Sequence, residues 1–74
     1  MTPEEAVLRV LTDAGEPLHW TVIQDRALRA GAIDPFATPD VRGEVLGALR
    51  ELVRDGRVRR TSTGVYEATA PYGR

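Results

Sequence analysis

Proline and glycine divide this chain into segments, and the order in which they do so constrains the fold more than any other feature. Thr2-Pro3 and Thr38-Pro39 each set a capping hydroxyl before a proline suited to a first helical position, while Gly15, Gly31 and Gly56 follow runs of helical periodicity. No segment bounded in this way is longer than an ordinary globular helix. The chain must therefore build its interior from short elements packed on one another. At 74 residues, 42% of them apolar, those elements share one core, because two independent cores need more chain.

Thr2 and Glu5 have capping-box spacing, and Val7, Val10, Leu11 and Ala14 recur on one helical face, which predicts a first helix closed by Gly15. Pro17 interrupts the pattern within Glu16-Pro17-Leu18-His19-Trp20, where a short extra strand fits near Leu18. Thr21 to Ala30 reads as a second helix carrying Ile23, Ala27 and Ala30 on a stripe, followed by a loop over 32–37 that includes Asp34-Pro35. The third helix, from Pro39 to about Asp55, is the longest. It places Val41, Val45, Ala48, Leu49 and Leu52 in one sector, widened by Leu46 and Val53. Val58 to Thr61 and Val65 to Ala68 flank Ser62-Thr63-Gly64, the pattern of a hairpin with a three-residue loop and Gly64 in the left-handed region. That register sets Arg60 against Tyr66, Arg59 against Glu67 and Val58 against Ala68. Arg59 and Glu67 then form a charge pair on the outer face, with Val58, Tyr66 and Ala68 turned inward. The expected class is α+β, with one domain over 1–69 and a loose tail over 70–74.

Several function classes are disfavoured. Without cysteine there is no disulfide framework, and one histidine leaves almost no ligands for a zinc site, so neither a metal nor a cofactor is expected. No run approaches the roughly 18 apolar residues of a membrane span, and Met1-Thr2-Pro3-Glu4-Glu5 lacks the features of a signal peptide, so the expected location is the cytoplasm, without membrane contact. His19 stands beside Pro17 and Leu18 with no nucleophile or carboxylate arranged around it, so it reads as a packed, hydrogen-bonded residue. Trp20 reads as packing the start of the second helix against the third, and Tyr66 as the anchor of the hairpin. No enzyme activity and no small-molecule substrate are expected.

Charge is unevenly distributed. Residues 1–40 carry a net charge of −4 and residues 41–74 a net charge of +3, with arginine supplying every basic side chain. On the third helix Gly43, Gly47, Arg50 and Arg54 fall within about 60° of one another, opposite the apolar sector. Two glycines inside a helix cost about 0.8–1.0 kcal/mol each relative to alanine. They are read either as drift on a solvated face or as clearance for a phosphate backbone, a base edge or another helix. Arg57, Arg59 and Arg60 join Arg50 and Arg54 to make five arginines within eleven positions, and Arg42 is a further candidate for a phosphate or base contact. The bland alternative is a basic edge partly neutralised by Glu51, Asp55 and Glu67.

Helix, short extended segment, helix, loop, helix and hairpin is the order of a winged helix-turn-helix. Pro17-Leu18-His19-Trp20, Ile23 and Ala27, Thr38-Pro39, Leu49, Gly56 and Gly64-Val65-Tyr66 follow one another as in one branch, and from about Thr2 to Glu67 the chain resembles the HARE-HTH family. It departs from that pattern in the more basic Arg57-Val58-Arg59-Arg60 and in Ala68, where a larger apolar residue would close the wing. The resemblance implies a bacterial winged-helix module that binds double-stranded DNA in a regulatory, targeting or adaptor role, using the third helix and the wing. The alternative it implies is a protein-interaction module that docks on RNA polymerase, a nuclease partner or a second copy of itself.

Overall fold

The computed structural model describes residues 1–69, and the expected loose tail at 70–74 lies outside them. Three helices, α1 (Pro3–Ala14), α2 (Trp20–Arg29) and α3 (Val41–Arg54), combine with three strands, β1 (Leu18–His19), β2 (Val58–Ser62) and β3 (Val65–Ala68). The class is α+β. The strands form an antiparallel sheet in the order β1-β3-β2, so the short segment before α2 adds to the far side of the C-terminal hairpin.

Local chemistry explains the helix starts. Thr2 Oγ1 accepts from the Glu5 N–H at 3.1 Å and Glu5 Oε1 accepts from the Thr2 N–H at 2.7 Å, so each satisfies a backbone donor at the start of α1. Those bonds, the backbone one foremost, hold the Glu5 carboxyl below the ordinary glutamate range. His19 caps α2, its Nδ1 accepting from the Thr21 N–H at 3.2 Å and from the Thr21 hydroxyl at 2.8 Å. The histidine is thus hydrogen-bonded, as expected, but it is exposed rather than packed.

The start of α3 differs from expectation. Asp40, not Thr38, is the cap, with Oδ1 accepting from the Gly43 N–H at 2.9 Å, and the helix begins at Val41. An ionised carboxylate is a better acceptor than a hydroxyl at the positive end of the helix dipole, and no Glu or Gln stands three residues after Thr38 to complete a box there.

The hairpin register is the one the sequence implies. Val58, Arg59 and Arg60 face Ala68, Glu67 and Tyr66, and Gly64 has φ 74°. The loop is tighter than expected, because β2 continues to Ser62, which faces Val65, and an irregularity at Thr61 absorbs the extra residue. The core is built from Val7 and Leu11 of α1, Ile23 and Ala27 of α2, Val45, Leu49 and Leu52 of α3, and Leu18 and Val58 of the sheet. Ile33 joins them, 5% exposed, and pins the segment between α2 and α3 to the interior. No polar residue is buried as a whole among the described residues, although Gln24 Oε1 is shut off from solvent without a hydrogen-bond partner. Apolar packing is therefore the main source of a stability that, for a chain of this size, is about 4–11 kcal/mol.

One contact ties the sheet to the helices at the hairpin tip. The Trp20 N–H, at the start of α2, donates to the Gly64 carbonyl at 2.9 Å. This bond fixes where the hairpin lies relative to α2.

Candidate functional site

The burial of Val45, Ala48, Leu49 and Leu52 turns the opposite side of α3 outward. That side carries Gly43, Gly47, Arg50 and Arg54, at successive angular offsets that keep them within about 60°. The two glycines have different surroundings. A Cβ at Gly43 would overlap the Asp40 carboxylate that caps the helix, so bareness there serves the cap. A Cβ at Gly47 would meet only Arg50 Nη2, at 3.9 Å, so bareness there leaves backbone open to solvent. Beside this strip lies an open depression of about 350 Å³ lined by Gly43, Gly47 and Arg50 together with Glu4, Glu44 and Glu51. Glu4 comes from α1, and no sequence pattern places it there.

The arginines do not all share one environment. Arg54 is bonded to Glu51 one turn back. On the hairpin, Arg59 reaches Glu67 Oε1 from Nε at 3.2 Å and from Nη2 at 2.6 Å, which is the cross-strand pair the register implies. Arg60 Nε donates to the Ser62 carbonyl at 3.3 Å. Because successive strand residues point to opposite faces, Arg60 lies on the Val58 side and Arg59 on the other. The expected single surface of five arginines is therefore divided, with two arginines on opposite sides of the hairpin and two held by carboxylates.

Arg50 and Arg57 remain. Both are exposed and have no carboxylate partner among the described residues. Arg57 follows α3 on a fixed backbone, its N–H donating to the Leu52 carbonyl at 2.9 Å and its carbonyl accepting from the Thr69 N–H at 3.1 Å. Arg42, at the other end of α3, lies over the Trp20 ring at 5.2 Å from the centroid, with the His19 ring 5.7 Å from that of Trp20. Its guanidinium face is engaged, while its N–H edge stays available in an exposed residue.

The ion pairs that hold Arg54 and Arg59 are at the surface, the two arginine side chains 72% and 63% exposed. Exposed pairs contribute only about 0–1 kcal/mol, so a phosphate can compete for either guanidinium. Among the described residues no cluster of His, Cys, Asp or Glu has a metal-binding arrangement, and no helix is long and apolar enough to cross a membrane. No family model, curated protein or solved structure matches the chain.

Proposed function

We propose that the chain is a winged-helix module that binds double-stranded DNA through phosphate contacts. The observation that carries this reading is that Arg50, on the C-terminal half of α3 beside Gly47, and Arg57, in the turn that follows the helix, are both exposed and neither is ion-paired with a carboxylate among the described residues. The element order supports the winged-helix assignment, with α2 and α3 as the helix-turn-helix, β2 and β3 as the wing, and β1 completing the sheet. In such a module α3 enters the major groove and the wing lies along the backbone.

Each residue has a role in this reading. Arg50 and Arg57 bind phosphates outright. Arg60, on the wing, adds a third contact through the nitrogens not used by its bond to Ser62. Arg54 and Arg59 exchange their carboxylates for phosphate on contact. Gly47 allows close approach, Gly43 preserves the cap that orients the helix, and Arg42 is held in place by Trp20. The module does no chemistry itself, and it works within the cytoplasm as a regulatory, targeting or adaptor part.

A labelled mixed-sequence duplex titrated with wild type and with Arg50→Glu/Arg57→Glu tests the proposal. Wild type binds at low salt and the double variant loses most of that affinity. No binding by wild type, or equal binding by both, rejects it. The acidic residues around the glycine strip favour a second reading, in which the depression lined by Glu4, Glu44 and Glu51 receives a basic protein segment; in that case Glu4→Gln/Glu44→Gln weakens association with a basic peptide, whereas Arg50→Glu/Arg57→Glu does not.

A further inference from the structure

Ser62 is the single serine of the chain, and it follows the densest run of positive charge. Arg60 stands two residues before it, Arg59 three and Arg57 five, with no carboxylate between Arg57 and Gly64. The fold presents this run to solvent. In the order β1-β3-β2 the strand β2 is the edge of the sheet, and its residues from Arg59 to Ser62 are all exposed. The hydroxyls of Thr2, Thr21 and Thr69 are hydrogen-bonded, whereas nothing among the described residues engages that of Ser62. Its carbonyl accepts from Arg60 Nε at 3.3 Å, which sets a guanidinium against the residue. Outside the hairpin, Thr12 also has an arginine three residues before it, but that hydroxyl is on a half-buried residue inside α1.

We propose that Ser62 is a phosphorylation site, read by a protein kinase with an acidic substrate groove, and that the phosphate withdraws the hairpin from DNA. Arginines at fixed distances before a free hydroxyl, on an extended edge, suit a groove that receives the chain as a strand and pairs its guanidinium groups with carboxylates. In the transfer Ser62 Oγ bonds to the γ-phosphorus of a nucleoside triphosphate as the bond from that phosphorus to the bridging oxygen breaks. The nucleoside diphosphate leaves, and the hydroxyl proton passes to the carboxylate base of the kinase.

The product has a partner in place. Phosphoserine carries about −1.5 to −2 charges and three acceptor oxygens, and the Arg60 guanidinium already lies against this residue. Arg60 then pairs with the new phosphate, and the added negative charge repels a DNA phosphate from the hairpin. This consequence rests on the duplex-binding reading; the modification site does not.

Incubating the folded full chain with ATP and the catalytic subunit of an arginine-directed protein kinase, then mapping peptides by mass spectrometry, tests the site. Wild type takes up one phosphoryl group, on Ser62. Ser62→Ala takes up none. Arg59→Gln/Arg60→Gln, which alters only exposed side chains, slows the reaction at least about tenfold, the equivalent of one lost charge-assisted bond. No incorporation, incorporation on a threonine in place of Ser62, an undiminished rate for the arginine variant, or reaction only above the unfolding temperature overturns the site. Titrating the phosphorylated chain with the duplex tests the consequence. Affinity falls at least about tenfold, and the salt slope flattens by about 0.9 for one lost contact. Phosphorylated protein that binds as the unmodified chain does overturns the withdrawal and leaves the DNA reading standing. Failure of the unmodified chain to bind rejects the DNA reading and the withdrawal together, while the mass spectrum decides the site by itself.

Discussion

Replacing Gly64 by alanine tests how the hairpin is seated on the helices. Gly64 has φ 74°, a region that costs an L-residue about 1–2 kcal/mol. The added Cβ would lie 2.9 Å from His19 Nε2 and 3.3 Å from Trp20 Cδ1, so the imidazole must move. Moving it loosens the bonds from Thr21 to Nδ1 that cap α2, a cap worth about 0.5–2 kcal/mol. The total is about 1.5–4 kcal/mol, a large share of the roughly 4–11 kcal/mol such a domain has. Gly56 is the internal control, because its φ is 77° and a Cβ there meets nothing within 4 Å. Gly56→Ala therefore shows the backbone cost alone. Urea denaturation of both variants, with and without His19→Ala, reads the difference. Gly64→Ala is the more destabilised by about 1 kcal/mol, and that excess shrinks once His19 is gone. Equal destabilisation at the two glycines, or an excess that persists without the imidazole, refutes the contact.

Three further substitutions address other links. Gly47→Ala raises stability by about 0.8–1 kcal/mol, since it improves helix propensity into open space, whereas Gly43→Ala gains little or loses because it displaces the Asp40 cap; thermal unfolding of the pair separates these outcomes. Ile33→Ala costs about 2–5 kcal/mol in urea denaturation, despite lying outside every helix and strand, because it empties a buried position. The fold holds the Glu5 carboxyl below its ordinary value, so its stabilising effect is complete above the unfolded-state value and is lost as pH falls through the folded one. Thermal unfolding against pH is accordingly flatter for Glu5→Gln in the acid range, and an unchanged profile contradicts that account.

What was legible in the sequence was local. The Thr2/Glu5 box, the face of α1 and the hairpin register depend on residues a few positions apart, and the fixed spacing around Gly64 set Arg59 opposite Glu67. Features that depend on tertiary placement were not legible. Two residues are too few for a strand period to show that Leu18–His19 would pair with β3, and an isolated apolar residue such as Ile33 carries no periodicity to mark it as core. The start of α3 was misplaced because two capping signals, Thr38 and Asp40, lie two residues apart and the charged one prevails. For the candidate site, the helical wheel located the glycine-arginine strip correctly. It showed neither that Glu4 approaches from α1 nor that the Trp20 ring lies under Arg42. Strand alternation, which separates Arg59 from Arg60, was available in the sequence and is the signal that should have divided the arginine cluster.

The salt dependence of duplex binding tests the central claim most directly. With Arg50, Arg54, Arg57, Arg59 and Arg60 each neutralising one phosphate, the logarithm of the association constant falls against the logarithm of salt concentration with a slope of about −4.5. Arg50→Glu/Arg57→Glu flattens that slope towards about −2.7, the value for three remaining contacts, while Arg54→Gln changes it less. A wild-type slope near zero, or one that the double variant leaves unchanged, contradicts the account.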